Sequence, residues 1–194
     1  MKQKQKLGVI VPYRNRPEQL KVFKDYISKY LFSKKILHEL IIVEQQDDKP
    51  FNRGLLLNWG CRKAEWAECD YVVFHDIDML PVDVDYSYSD KPLHLVQNLE
   101  IPDEEDSLFY DYFGGVTMFS LEDIKKVNGY SNDYVGWGFE DDDLFLRCLR
   151  NGIEMDFLEW GQRRHPGIGL QFNGKDSYVA INNPILRNRN FSIF

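Results

Sequence analysis

The stretch Tyr71-Val72-Val73-Phe74-His75-Asp76-Ile77-Asp78-Met79-Leu80-Pro81 constrains the fold of this chain more than any other. A short continuous apolar run closed by a proline has the pattern of a strand buried on both faces of a parallel sheet. Ligands in open α/β sheets sit beyond the carboxyl ends of such strands. Side chains alternate along a strand, so Asp76 and Asp78 point to one side and Ile77 to the other. No lysine or arginine stands within six residues of the pair. Two carboxylates so placed need a cation; taken alone, the triplet also fits a solvated acidic turn.

Upstream, Leu7–Tyr13 is an apolar run interrupted by Pro12 and read as a first strand, with Arg14-Asn15-Arg16 at its end. Pro17 suits the first turn of a helix, and Leu20, Phe23, Ile27, Tyr30 and Leu31 then recur at helical spacing. Two arginines at this junction form an anion clamp, since a helix amino terminus favours negative charge, or else a solvated polar turn. Glu39–Glu44 is a second strand. Asn52 caps a helix running to about Ala67, with Leu55, Leu56, Trp59, Lys63 and Trp66 on a shared face read as core. Arg53 in its first turn opposes the helix dipole; a bound anion accounts for it, and so does chance surface placement. The order strand–helix–strand–helix–strand gives a parallel, right-handed half-domain of nucleotide-binding type.

The second half is less regular. Residues 82–109 read as loop-rich, with one short strand candidate at Leu93–Val96. Tyr110–Phe119 reads as a strand interrupted by Gly114-Gly115, as at a bulge or a close approach to the backbone. Ser120 and Asp123 form a capping box, and Gly129 closes the short helix that follows. Gly136-Trp137-Gly138 then leads into Phe139-Glu140-Asp141-Asp142-Asp143, which opens a helix with Leu144, Cys148 and Leu149 on one face and Asn151-Gly152 at its end. The dipole favours acids in a first turn, but a cap needs one or two and four repel one another. The segment is either an ordinary acidic helix start or a mobile, substrate-stacking lead-in. Ile153–Trp160 reads as a last strand. His165 follows it, where an imidazole can join a carboxylate at a metal, although a lone histidine is more often an ordinary surface or core residue.

The 194 residues fit one domain, with a nucleotide-binding half at about 7–81 and an acceptor or catalytic half at about 82–194. A net charge of −7 with no basic run argues against a nucleic-acid-binding protein. Cys61, Cys69 and Cys148 form neither a CxxC pair nor a disulfide framework, which points to a reducing compartment. Leu7–Val11 is too short for a signal-peptide core, and no segment reaches the length of a membrane span. A soluble, cytoplasmic protein is expected.

Five segments, in order and approximate spacing, resemble the β-1,4-galactosyltransferase family (glycosyltransferase family 7) over about residues 8–165. They are Pro12-Tyr13-Arg14-Asn15-Arg16, Phe51-Asn52-Arg53-Gly54, Asp76-Ile77-Asp78, Tyr112-Phe113-Gly114-Gly115-Val116 and Gly136-Trp137-Gly138-Phe139-Glu140-Asp141-Asp142-Asp143. The resemblance implies an α/β fold of the nucleotide-sugar-binding GT-A type, with a mostly parallel central sheet flanked by helices. It implies that Pro12, Arg14, Arg16, Phe51 and Arg53 hold uridine diphosphate, that Asp76 and Ile77 lie near the nucleotide, and that Asp78 ligates manganese. Tyr112, Gly115 and Trp137 would contact the donor sugar and the closing loop. Glu140, Asp141 and Asp142 would face the acceptor, with Asp141 as base. His165 matches the family's later metal-ligand histidine. Gln162 stands where animal galactosyltransferases carry a methionine, and its harder oxygen suits magnesium or manganese. Tyr112 matches the members that use galactose.

The function so implied is a metal-dependent, inverting transfer of galactose from UDP-galactose to a sugar hydroxyl of a carbohydrate acceptor, whose identity the resemblance does not carry over. Such chemistry needs charge neutralised on the departing diphosphate and a base for the acceptor hydroxyl. The alternatives are transfer of N-acetylgalactosamine or another UDP-sugar, as in chondroitin-type polymerases, or an inactive module that binds nucleotide sugar or glycan. A calcium-binding structural protein is disfavoured, because the acidic run lacks the Asp-x-Asp-x-Asp-Gly spacing of a calcium loop.

Overall fold

A computed structural model describes residues 4–96, 98–100, 113–136, 138–157 and 177–180. The first half alternates as its periodicity implies: β1 (Lys6–Tyr13), α1 (Pro17–Ser33), β2 (Leu37–Glu44), α2 (Arg53–Trp66) and β3 (Tyr71–His75). β4 (Met79–Pro81), β5 (Leu93–His94), β6 (Asn98–Glu100) and β7 (Val116–Ser120) follow, then α3 (Leu121–Lys126), α4 (Glu140–Arg150), β8 (Asp156–Phe157) and β9 (Ser177–Ala180).

The main sheet has the order β2-β1-β3-β7-β5-β8, and a smaller sheet has the order β4-β9-β6. β1 pairs in parallel with both β2 and β3. The chain therefore leaves β1 toward one side and returns on the other, so the crevice beyond the ends of β1 and β3 is the switch point where α/β proteins take ligands. The strand expected from Tyr110 starts at Val116 within the described residues, and it runs antiparallel to β3, Phe74 facing Thr117. β5 is antiparallel to β7 and parallel to β8. In this sheet only β7 opposes the common direction. Of the expected last strand, β8 supplies Asp156–Phe157, and residues 158–160 lie outside the described residues.

β1 and β3 are buried on both faces. Leu7, Val9, Val11, Tyr71 and Val73 pack toward Phe23, Ile27 and Leu31 of α1. Ile10, Val72 and Phe74 pack toward Leu57 and Ala64 of α2, and toward Leu144 and Cys148 of α4. Phe23, Ile27 and Leu31 are fully buried; each such side chain contributes about 1.5–3 kcal/mol by leaving water.

The face assigned to α2 needs correction. Leu56 is buried as expected, but Leu55, Trp59 and Trp66 are exposed and Lys63 lies over the Trp66 ring, 4.6 Å from its centroid. Gly54, Leu57, Gly60 and Ala64 face inward instead. The reason is close approach: a Cβ on Gly60 would come within 2.1 Å of Ile10 Cγ2. Only the small-residue side of α2 can lie that near β1, and this turns the tryptophans out. Leu149 on α4 is likewise exposed. Cys61, Cys69 and Cys148 are free thiols. Among the described residues no helix is long and apolar enough to cross a membrane.

Candidate active site

β3 ends at His75 and the acidic triplet turns away from the sheet. The Asp76 N–H donates to Gly115 O (2.9 Å) and the Met79 N–H to Asp76 O (3.3 Å), which closes a tight turn against the start of β7. Gly115 adopts φ +75°, a left-handed conformation that suits glycine. Ile77 and Asp78 are both 3% exposed. A carboxylate so buried costs free energy unless it is paired, and Arg16 Nη1 donates to Asp78 Oδ2 at 2.9 Å. Burial, followed by the charge of Asp76, pushes the Asp78 carboxyl up to about 6, and Arg16 opposes the shift. His75 behind it is held neutral: burial lowers its pKa to about 4, and its ring nitrogens meet Asp76 O and the Tyr86 hydroxyl at 2.9 Å each.

Pro12 ends the apolar part of β1 opposite Val43. Arg14 lies over the Phe51 ring, 5.2 Å from its centroid, and donates to Lys49 O at 2.6 Å. The Gly136 N–H donates to Phe51 O (2.8 Å), so the lead-in to α4 is tied to the start of α2. Asn52 caps α2, its Oδ1 accepting from the Leu55 N–H at 2.8 Å. That places Arg53 in the first turn, pointing into the site. Arg53 Nε and Nη2 donate to Asp76 Oδ1 at 3.1 and 3.0 Å, and Nη1 donates to Glu140 Oε1 at 3.3 Å. The anion that explains an arginine at a helix start is, in this structure, a pair of the protein's own carboxylates.

The four acids at the head of α4 are in four different environments. Phe139, at φ +72°, turns the chain into the helix. Glu140 is 7% exposed and paired with Arg53. Asp143 accepts from Arg147 Nε at 2.8 Å, and Arg147 also donates to Val127 O and Gly129 O. Asp142 is exposed. Asp141 lies between these extremes: burial pushes its carboxyl up to about 6, Arg53 opposes this and Glu140 adds to it. The mutual repulsion expected of four adjacent acids is thus relieved by two arginines, and one carboxyl is left with a proton affinity suited to proton transfer near neutrality.

Arg14, Arg16, Phe51, Arg53, Asp76, Asp78, Gly115, Glu140 and Asp141 therefore gather at the carboxyl edge of β1 and β3. Tyr112, Trp137, Gln162 and His165 lie outside the described residues. Among the described residues no three histidine, cysteine or carboxylate side chains converge as a metal site. Asp78 nevertheless fits a hard cation: its buried oxygen already holds a guanidinium, and a carboxylate oxygen suits magnesium or manganese. Two neighbours escaped the sequence reading. His94 Nε2 meets Gly114 O at 2.9 Å beneath the Gly114–Gly115 turn. The Tyr130 ring faces Arg53, whose Cζ is 5.8 Å from the ring centroid. Neither carries a sequence signal beyond being polar next to a turn.

Known proteins are similar to this chain in sequence and in fold. Residues 1–90 match the family model for the N-terminal region of glycosyl transferase group 7, and residues 102–166 match that for the N-terminal domain of galactosyltransferase. The xylosylprotein 4-beta-galactosyltransferase of Caenorhabditis elegans is 39% identical over 92% of this chain and 59% of its own length. Beta-1,4-galactosyltransferase 4 of Mus musculus is 40% identical over 92% of this chain and 52% of its own length. The chain thus spans between half and three-fifths of the length of these relatives. Among solved structures, the catalytic domain of Drosophila beta-1,4-galactosyltransferase 7 with xylobiose is 30% identical over 98% of this chain and 76% of that one, with a TM-score of 0.77. A mutant of the same Drosophila enzyme, in complex with manganese, UDP-galactose and xylobiose, gives a TM-score of 0.76 at 30% identity.

Proposed function

The chain belongs to the group 7 glycosyltransferases, and on that premise we propose that it transfers galactose from UDP-galactose to a hydroxyl of a carbohydrate acceptor, with a divalent metal and with inversion. The observation that carries this reading is the single arginine, Arg53, that joins the aspartate turn after β3 to the acidic head of α4. On this reading the arginine holds a diphosphate-side edge and a base-side edge in register.

Asp78 and His165 would hold manganese, or magnesium, which when bound neutralises charge on the diphosphate. Arg14, Arg16 and Arg53 add charge-assisted hydrogen bonds to the same oxygens. Arg16 and Arg53 pair with Asp78 and Asp76, which orients both guanidinium groups toward the aspartate turn. Pro12, Phe51 and Ile77 are assigned to the nucleotide side and Gly115 to the sugar side, where the family resemblance would also put Tyr112 and Trp137. Glu140 and Asp142 flank Asp141, which accepts the acceptor's hydroxyl proton. The acceptor oxygen then bonds to the anomeric carbon as the bond from that carbon to the diphosphate oxygen breaks. A base opposite the leaving group gives inversion.

The decisive experiment is a transfer assay with manganese, UDP-galactose and a panel of xylosides, glucosides and N-acetylglucosaminides. Asp141→Asn should lose about 10²–10⁴-fold in kcat while binding UDP as wild type does. Equal turnover in the two removes Asp141 from the mechanism. Faster transfer from UDP-N-acetylgalactosamine than from UDP-galactose would change the donor assignment. UDP binding with no transfer to any acceptor would make the chain a binding module.

A further inference from the structure

The loop after α3 carries a group that the proposed mechanism leaves unused. Tyr130 is 3% exposed, and its hydroxyl is sealed from solvent with no acceptor for its proton among the described residues, its neighbour Arg53 being a donor only. A buried hydroxyl left unpaired costs stability, and folded proteins keep few of them. Its placement is firmly built. Asn58 of α2 holds the Tyr130 backbone from both sides, Oδ1 accepting from the Tyr130 N–H and Nδ2 donating to the Tyr130 carbonyl, each at 2.8 Å. The ring meets Phe74 edge-on, with centroids 5.0 Å apart, and its other neighbour is the Arg53 guanidinium. Burial above all keeps the phenol protonated; Arg53 pulls the other way, while Asp141 and Glu140 add to the effect of burial. A neutral hydrogen-bond donor without an acceptor therefore stands beside Arg53, within electrostatic reach of Asp141 and Glu140.

We propose that Tyr130 is a positioning residue for Asp141: its hydroxyl donates to the Asp141 carboxylate once a donor diphosphate draws the Arg53 guanidinium onto its own oxygens. This rests on the reading of Asp141 as the base. Arg53 is the cation that pairs with Asp76 and Glu140 and lowers the proton affinity of Asp141. A diphosphate competes for that cation, because guanidinium–phosphate hydrogen bonds are among the strong ones. Asp141, otherwise faced by Glu140 and Asp142, then loses its counter-charge. A phenol orients the carboxylate without the full positive charge that would strip it of basicity, which suits a base working near neutral pH.

The test is Tyr130→Phe, which deletes one oxygen and keeps the ring against Phe74. The melting temperature should equal or exceed that of wild type, because an unpaired buried hydroxyl is gone. Affinity for UDP with manganese should be unchanged, and kcat/KM for transfer should fall about 10-fold or more, the effect of one hydrogen bond to a charged group. The acid limb of the kcat/KM profile should move to higher pH, since a hydrogen bond to the carboxylate form no longer holds its pKa down. Wild-type transfer with an unmoved acid limb overturns the proposal. So does a loss of rate accompanied by a lower melting temperature or weaker UDP binding, because the hydroxyl then serves folding or the donor. Wild type that binds UDP and transfers to nothing fails the galactosyltransferase reading and takes the role of Tyr130 with it.

Discussion

Arg53 illustrates how one side chain can link two halves of a site. Its planar fork reaches Asp76 with two nitrogens and Glu140 with the third, a division that a lysine ammonium, a compact point charge, does not reproduce. Removing the guanidinium leaves Glu140, 7% exposed, as a buried charge without its partner, and breaking a buried pair in this way costs about 3–5 kcal/mol. Arg53→Met should therefore lower stability to urea by that order, and Glu140→Gln added to it should recover part of the loss. A double variant as unstable as the sum of the two single ones would show that the two residues do not interact. At this scale the sequence is only half legible. An arginine in the first turn of α2 stands out against the helix dipole, which signals that an anion is near; it does not say that the anion is Glu140, since that contact depends on how α4 docks. The role of Tyr130 is hidden for the same reason: it lies in a side-chain contact between loop and helix that no local pattern encodes.

Among the elements, α2 shows where periodicity misleads. An apolar stripe containing two tryptophans outweighs a stripe of Gly54, Leu57, Gly60 and Ala64 on any hydrophobicity count, yet the second stripe faces the sheet. Contact distance decides, because Gly60 allows the helix backbone to lie against Ile10. In an exposed helix interior, glycine to alanine is worth about 1 kcal/mol in favour of folding. Gly60→Ala should do the opposite and destabilise by about 1–3 kcal/mol, the usual cost of overpacking, and its cost should shrink in an Ile10→Ala background, which lacks the Cγ2 that a Cβ at position 60 would meet. A Gly60→Ala protein with a melting temperature above wild type would refute the close approach. β1 and β2 are read correctly from sequence because continuous apolar runs and capped helices are local signals. β3 is expected to run to Asp78 with Asp76 and Asp78 on one side, but it stops at His75 because the acidic triplet closes a turn. The direction of β7 is not, since its pairing with β3 is made across a long stretch of chain and a five-residue strand looks the same run either way.

For the whole molecule, stability against pH reflects three buried groups among the described residues. The Asp78 and Asp141 carboxyls sit at about 6 against 3.8 for a free aspartate. Between those values the native state keeps protons that the unfolded chain has released, so each lowers stability as pH rises. His75, at about 4 against 6.5, does the reverse: the unfolded chain holds a proton that the native state refuses, and stability rises with pH through that window. Two opposing one leaves a net excess of about one native proton, a decline of at most about 1.4 kcal/mol per pH unit between pH 4 and 6. Asp141→Asn removes one of the two carboxyls and should flatten that contribution, measured as urea unfolding free energy against pH without nucleotide or metal. The same slope in both proteins would show that Asp141 titrates normally in the folded state.

The reversed run of β7 has a consequence for how such a scaffold can change. β1 and β3 deliver chain to the reactive rim, whereas β7 departs from it, so the Gly114–Gly115 entry turn meets the aspartates head-on. On the proposed reading, substitutions at Gly114 and Gly115 would alter the sugar side of the site while leaving every rung of the β3–β7 ladder in place. The proposed donor preference would then drift independently of the proposed nucleotide grip, one varying at the entry to β7 and the other anchored by outgoing strands.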